Sequence, residues 1–296
     1  MHIYNEGEIS LMLERFALIS AVLSCTLLIQ PAAGAASCLS ALSASPTGAE
    51  QPASASENQP YHFGFKRSVN GQLPSINEEG FKTIVDRYDA VFTGDTSRKE
   101  LFLTFDNGYE NGYTAPILDV LKAKKVPAAF FVTGHYVKDQ PELVKRMAAE
   151  GHIVGNHSWS HPDMTTLDDG KIKEELDRVK TAASSLTGTD QMRYLRPPRG
   201  IFSEHVLRVT KELGYTNVFW SLAYKDWDVN DQKGASYAYQ KVIAQLHPGA
   251  VLLLHSVSRD NAEALSSIID EARRQGYEFK TLDELSLKRK AGFGTP

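Results

Sequence analysis

Two histidines four residues apart, in His157-Ser-Trp-Ser-His161, are the residues of this 296-residue chain whose type and spacing most suggest chemistry. Imidazole nitrogens ligate zinc and other transition metals, and a short loop carrying two of them can leave open positions on a cation for water and substrate. Four more polar clusters accompany them. Asp106 and Asn107 stand in Thr104-Phe-Asp-Asn-Gly108, and two arginines in Arg196-Pro-Pro-Arg-Gly200. Asp226 and Trp227 stand in Asp226-Trp-Asp228, and His255 directly follows Val251-Leu-Leu-Leu254. Carboxylate and imidazole are the side chains that most often move protons near neutral pH. Taken singly, each cluster has a structural explanation. Asp106 would cap a turn with Gly108, His157 and His161 would be loop histidines, and His255 a satisfied core histidine. Arg196-Pro-Pro would be a stiff turn, and Trp159 and Trp227 would be rim aromatics.

What argues against coincidence is the pattern of elements that would carry these residues. Short apolar runs alternate with amphipathic stretches from Lys99 onward. Leu101–Phe105, Ala128–Val132, His152–Gly155, Arg193–Leu195, Thr216–Ser221 and Val251–Leu254 read as strands. Helices are predicted over Thr114–Lys122, Pro141–Ala149, Ser203–Leu213, Ser236–Leu246 and Ala262–Gln275. Ile172, Leu176, Val179, Ala183 and Leu186, at helical spacing, define another, capped within Thr166–Asp169. Alternating strands and helices imply a parallel sheet with helices outside, an α/β fold. With no GxGxxG at the first turn, a distorted (β/α)7-type barrel is favoured over a dinucleotide-binding sheet. Each of the five clusters then follows a strand, and the carboxyl ends of barrel strands are where chemistry sits.

Composition narrows the classes. Hydrophobic residues are 42% and charged residues 23%, with a formal charge of −4, so no basic face for nucleic acid is expected. Phe16–Ile29 is an uncharged apolar run shorter than a comfortable membrane span, and Ala33-Gly34-Ala35 offers small residues for cleavage. Residues 1–35 therefore read as a secretory signal or an uncleaved anchor, and the protein as exported. Residues 36–60, rich in Ala, Ser, Pro and Gln, read as a flexible linker. Residues 61–98 read as an N-terminal extension packing on the barrel, and 99–290 as one catalytic domain. Cys25 would leave with the signal, so Cys38 has no partner for an intramolecular disulfide.

The five clusters, in this order, resemble the motifs of the NodB-homology polysaccharide deacetylases of carbohydrate esterase family 4. That family shows Thr-Phe-Asp-Asp-Gly, His-Ser/Thr-x-x-His, Arg-x-Pro-x-Gly, Asp-x-x-Asp-Trp and Leu-His. The likeness covers roughly residues 99 to 285. It implies the NodB-homology barrel, with Asp106 as general base held by Arg196, and His255 as general acid supported by Asp226. His157, His161 and Asn107 would hold a divalent cation, zinc or another transition metal. Pro198, Arg199, Tyr109, Trp227 and Leu254 would contact substrate. The sequence departs from the family at Asn107, where a ligating aspartate is usual, and at Ala223, where the first aspartate of Asp-x-x-Asp-Trp belongs. A neutral amide attracts a cation less than a carboxylate does, so weak metal binding is expected.

A finer likeness is to the family members of spore formers that act in muramic δ-lactam formation. It is carried by Phe105-Asp-Asn-Gly-Tyr-Glu-Asn-Gly-Tyr-Thr114, Leu195-Arg-Pro-Pro-Arg-Gly200 and His255-Ser-Val-Ser-Arg-Asp-Asn-Ala-Glu-Ala-Leu265. It implies removal of acetyl from N-acetylmuramic acid in peptidoglycan strands stripped of peptide, a step toward lactam in spore cortex. Arg199 would read the lactyl carboxylate that glucosamine lacks. A monomer with no protein partner is expected. Two other readings stay open: a deacetylase of N-acetylglucosamine or chitin (or an acetyl-xylan esterase), and a wall-binding module that has lost catalysis.

Overall fold

The segment Glu100–Asn107, built around the apolar run Leu101-Phe-Leu103, becomes the middle of a parallel sheet, with every residue buried, in the computed structural model, which describes residues 57–292. A strand covered on both faces needs no apolar–polar alternation, so it reads as continuous hydrophobe. The expected signal or anchor, Cys25, Cys38 and most of the linker lie outside the described residues. Among those described, no helix is long and apolar enough to cross a membrane.

In chain order the elements are β1 (Tyr61–His62), α1 (Phe81–Arg87), β2 (Glu100–Asn107), α2 (Thr114–Lys124), β3 (Ala129–Val132) and α3 (Gly134–Asp139). There follow α4 (Pro141–Ala149), β4 (Ile153–Asn156), α5 (Asp169–Thr187), β5 (Tyr194–Leu195), β6 (Ile201–Phe202) and α6 (Glu204–Glu212). The chain ends with β7 (Thr216–Asn217), α7 (Ala235–Ile243), β8 (Ala250–His255), α8 (Arg259–Arg274), β9 (Glu278–Phe279) and α9 (Leu282–Lys290). The main sheet runs β7-β5-β4-β3-β2-β8, all parallel, with β9 beside the start of β2. This is the expected α/β class, as a curled parallel sheet.

The expected strand Thr216–Ser221 is regular only over Thr216–Asn217. Val218 N–H donates to Leu195 O at 2.8 Å on the β5 side, whereas Leu222 N–H donates to Val251 O at 3.2 Å on β8. The segment changes partners midway because it crosses from one edge of the sheet to the other. The barrel is therefore closed by an irregular stretch rather than a seventh full strand.

Helices pack outside. In α5, Ile172, Leu176, Val179 and Ala183 are buried on one face. Asp168 caps it by accepting from Lys171 N–H, and Gly188 ends it at φ 71°. Before the barrel, Tyr61 and His62 pair antiparallel with Phe202 and Ile201, and Phe63 N–H donates to Gly200 O at 2.9 Å. Phe63 stacks on Phe219 at 4.3 Å between ring centroids. These aromatics form a satellite core with Phe81 and Phe202, bolted to the turn after β5.

Candidate active site

Period-two alternation on β2 sends Thr104 and Asp106 to one face of the sheet and Phe105 and Asn107 to the other. Asp106 meets the fully buried Arg196, whose Nη1 donates to Oδ1 at 2.7 Å. The guanidinium is over-determined. Its Nη2 donates to Thr104 Oγ1 at 2.8 Å, its Nε to Val218 O at 3.0 Å, and it lies 4.3 Å from the Phe131 ring centroid. Burial pushes the Asp106 carboxyl up, but Arg196, then His157 and His255, outweigh it and hold it below the usual value. It stays ionised, with Oδ2 3.5 Å from His157 Nε2.

His157 follows β4, and its Nδ1–H donates to Arg196 O at 2.8 Å. That bond fixes the tautomer and leaves the Nε2 lone pair on the cleft side. The His157 and His161 rings are 4.9 Å apart. The loop between them is tight: Ser158 and His161 take left-handed backbone, φ 63° and 57°, and His161 N–H donates to Ser158 Oγ at 3.1 Å. Burial, above all, lowers both imidazoles, that of His161 to about 4. Both are neutral at physiological pH, the form that ligates metal.

Asn107 is fully buried and does not line the cleft. Its Nδ2 donates to Ser256 Oγ at 2.6 Å, while Oδ1 is a buried acceptor without a hydrogen-bond partner. Two neutral imidazoles and one unclaimed amide oxygen fit a divalent cation in donor type. The set has no carboxylate of its own beyond Asp106, and among the described residues no group of three His, Cys, Asp or Glu gathers as a metal site.

His255 closes β8. Its Nδ1 and Asp226 Oδ1 are 2.7 Å apart, and its backbone N–H donates to Asp226 Oδ2 at 2.8 Å. Burial works against protonating His255, but the charge and hydrogen bond of Asp226 prevail and raise its pKa. A carboxylate held below its ordinary pKa beside an imidazole held above it is an arrangement suited to general base and general acid.

Asp106, His157, His161, Arg199, Trp227 and His255 share the wall of one cleft of about 1030 Å³. Tyr109 and Trp227 stand at its rim, 45% and 53% exposed. Arg199 is exposed there, in left-handed backbone at φ 56°. Two expected contact residues lie elsewhere. Leu254 is fully buried in the core, because 253 and 255 face the cleft and alternation turns 254 away; Leu253 lines the cleft instead. Pro198 is buried in its turn, and it is Arg199 and Gly200 that reach the cleft. Trp159 lines the cleft, but Arg178 and Lys138 stand over its ring at 4.3 and 4.9 Å, so it is unsuited as a sugar platform.

Sequence reasoning did not single out Thr104, which anchors Arg196, or Asn261, which donates to Asp226 Oδ2 at 2.6 Å. Both stand inside quoted motifs, and nothing in their spacing marks them as partners of distant charges.

Comparison with known proteins agrees with this geometry. Residues 93–218 match the polysaccharide deacetylase family model. The chain is 54% identical to the peptidoglycan-N-acetylmuramic acid deacetylase PdaA of Bacillus subtilis, over 82% of this chain and 92% of that protein. The solved structure of PdaA, a family 4 carbohydrate esterase, superposes with a TM-score of 0.77 at 55% identity, over 78% of this chain and 99% of that one. A family 4 carbohydrate esterase from Bacillus anthracis gives a TM-score of 0.65 at 50% identity, over 78% and 98%. A chitooligosaccharide deacetylase of Bradyrhizobium is 36% identical, over 65% and 93%. The chain belongs to the polysaccharide deacetylases, carbohydrate esterase family 4. Within that family it is similar to PdaA along most of the described chain.

Proposed function

We propose that this protein removes the acetyl group from N-acetylmuramic acid residues of peptidoglycan strands that lack peptide, outside the cytoplasmic membrane, as a step toward muramic δ-lactam. The observation that carries the reaction is the facing pair of Asp106, held by Arg196, and His255, held by Asp226, beside two neutral histidines in one cleft. The muramyl choice rests on the exposed Arg199 at the cleft wall and on the high identity to PdaA.

Asp106 takes a proton from water as the water oxygen attacks the acetyl carbonyl carbon. His255 donates its Nε2 proton to the amide nitrogen as the carbon–nitrogen bond breaks, giving acetate and a free amine. The backbone N–H of Arg199 is the candidate donor to the developing oxyanion. His157 and His161 would hold a divalent cation, which when bound supplies positive charge to acidify water and polarise the carbonyl; Asn107, buried outside the cleft, would join them only by turning its unclaimed Oδ1 toward the cation. Tyr109 and Trp227 offer apolar faces to sugar rings at the rim. The apolar N-terminal run, signal or anchor, supports export.

The test is mass spectrometry of peptide-stripped peptidoglycan after incubation with the protein and divalent metal. Loss of acetyl from muramic acid is the expected result. Loss only from glucosamine would move the assignment to the glucosamine or chitin class. Acetate release as low as that of Asp106→Asn would leave a wall-binding module.

A further inference from the structure

Asp226 sits on an irregular loop between β7 and α7, yet its carboxylate has to keep one fixed orientation for Oδ1 to meet His255 Nδ1. Its own segment does not provide that. The second oxygen, Oδ2, accepts from two donors: the His255 backbone N–H and Asn261 Nδ2, at 2.8 and 2.6 Å. Asn261 lies in the first turn of α8, 1% exposed, where Ser258 caps the helix by accepting from the Asn261 N–H at 3.2 Å. The same Nδ2 stands 3.3 Å from His255 O, and the amide oxygen accepts from Tyr224 OH at 2.5 Å. A phenol hydroxyl donating to Oδ1 determines which end of the amide points at Asp226.

We propose that Asn261 is a positioning residue for acid catalysis, clamping the Asp226 carboxylate through an amide whose orientation Tyr224 sets. Three consequences follow from the geometry. The chain Tyr224–Asn261–Asp226–His255 ties the loop bearing Asp226 to the rigid start of α8. It fills both oxygens of a carboxylate whose side chain is fully buried, and an unmade bond there is costly. It also places no charge of its own near His255, so its effect is on direction rather than on field. Without Asn261 the carboxylate is held by His255 alone, through its backbone N–H and Nδ1, and nothing outside that residue resists rotation about the terminal Asp torsion, which is broad.

The inference rests on His255 acting as the acid, so His255→Ala is measured in parallel with Asn261→Ala and Tyr224→Phe on the metal-loaded full-length protein. Acetate release from peptide-stripped glycan gives kcat and KM, and proton NMR follows the low-field Nδ1–H resonance of His255. Asn261→Ala is expected to lower kcat 10- to 100-fold, leave KM within twofold and shift or broaden that resonance. Tyr224→Phe, which removes one oxygen and keeps the ring packed, is expected to lower kcat two- to tenfold with the same spectral change, and it decides the matter if Asn261→Ala does not fold. Wild-type kcat in both variants, or a kcat loss with the resonance unmoved, overturns the inference. If His255→Ala itself keeps wild-type activity, it is the reading of His255 as acid that fails.

Discussion

Asp106 and His255 are register partners: on adjacent parallel strands β2 and β8 their Cα atoms stand directly opposite one another. Neighbouring strands lie about 4.8 Å apart. The separation of the proposed base and acid is therefore set by the backbone ladder of the sheet and not by the conformation of a loop. Each is then tuned by a partner from elsewhere, Arg196 after β5 and Asp226 after β7.

Asp106→Asn keeps an oxygen for Arg196 and removes the base. Acetate release should fall at least about 100-fold, the lower range for a lost general base. Stability should fall by less than the about 3–5 kcal/mol of a fully broken buried pair, because the amide oxygen still accepts from the guanidinium. Urea unfolding beside the kinetic assay separates the two effects.

The pH–rate profile should be bell-shaped. Activity requires Asp106 ionised, and its pKa is lowered, so the acid limb lies below the ordinary carboxylate range unless loss of ligands to protonation sets it first. It also requires His255 protonated, and its pKa is raised, so activity declines only above the ordinary imidazole value. Asp226→Asn removes the charge that raises His255. The alkaline limb should move to lower pH while the acid limb stays. Rates that climb steadily to high pH would exclude His255 as an essential acid.

Arg199 supplies a specificity test. It is exposed on the cleft wall, where a bidentate pair with a carboxylate is accessible. Arg199→Ala should lose about 10-fold or more on muramyl oligomers, the worth of one charge-assisted pair at roughly 1.5–3 kcal/mol. Glucosaminyl oligomers should be affected much less. Equal losses on the two would exclude Arg199 as the reader of the lactyl carboxylate.

Asn107→Asp places a carboxylate where the amide oxygen lacks a partner. Calorimetric titration with zinc should show about tenfold tighter binding or better, since a charged ligand adds roughly 1.4 kcal/mol or more of attraction. Unchanged affinity would remove residue 107 from the ligand set. His161, lowered to about 4, remains neutral well below pH 7, so metal release on acidification should come late.

Much of the site was legible because its chemistry is local: His157 and His161 occupy one turn, and Asp106, Arg196 and His255 each stand at or just past the carboxyl end of a short strand that the sequence marks as an apolar run. What escaped depends on tertiary contact. Leu254 and Leu253 are the same residue type, and only the pleat decides that 253 faces the cleft. Asn261 is an ordinary helix-start asparagine until α8 packs beside the loop of Asp226. In the fold, α5 was clear from five apolar positions, whereas α3, with six residues, is too short to show a period. The stretch 218–222 reads as ordinary strand, and its change of partner is invisible in one dimension.

Gly200 shows what the pairing of β1 with β6 means for descent. A Cβ there would stand 2.7 Å from the Trp220 ring and 3.2 Å from Phe63 Cβ, in backbone at φ 66°. The leader at Tyr61–Phe65 and the turn at Arg199–Phe202 are thus two halves of one mould, far apart in sequence and cast against each other. Neither half is free to drift alone. Recombination between relatives that exchanges the barrel while keeping the original leader would join surfaces never selected together, and the mismatch would fall on the turn that carries Arg199.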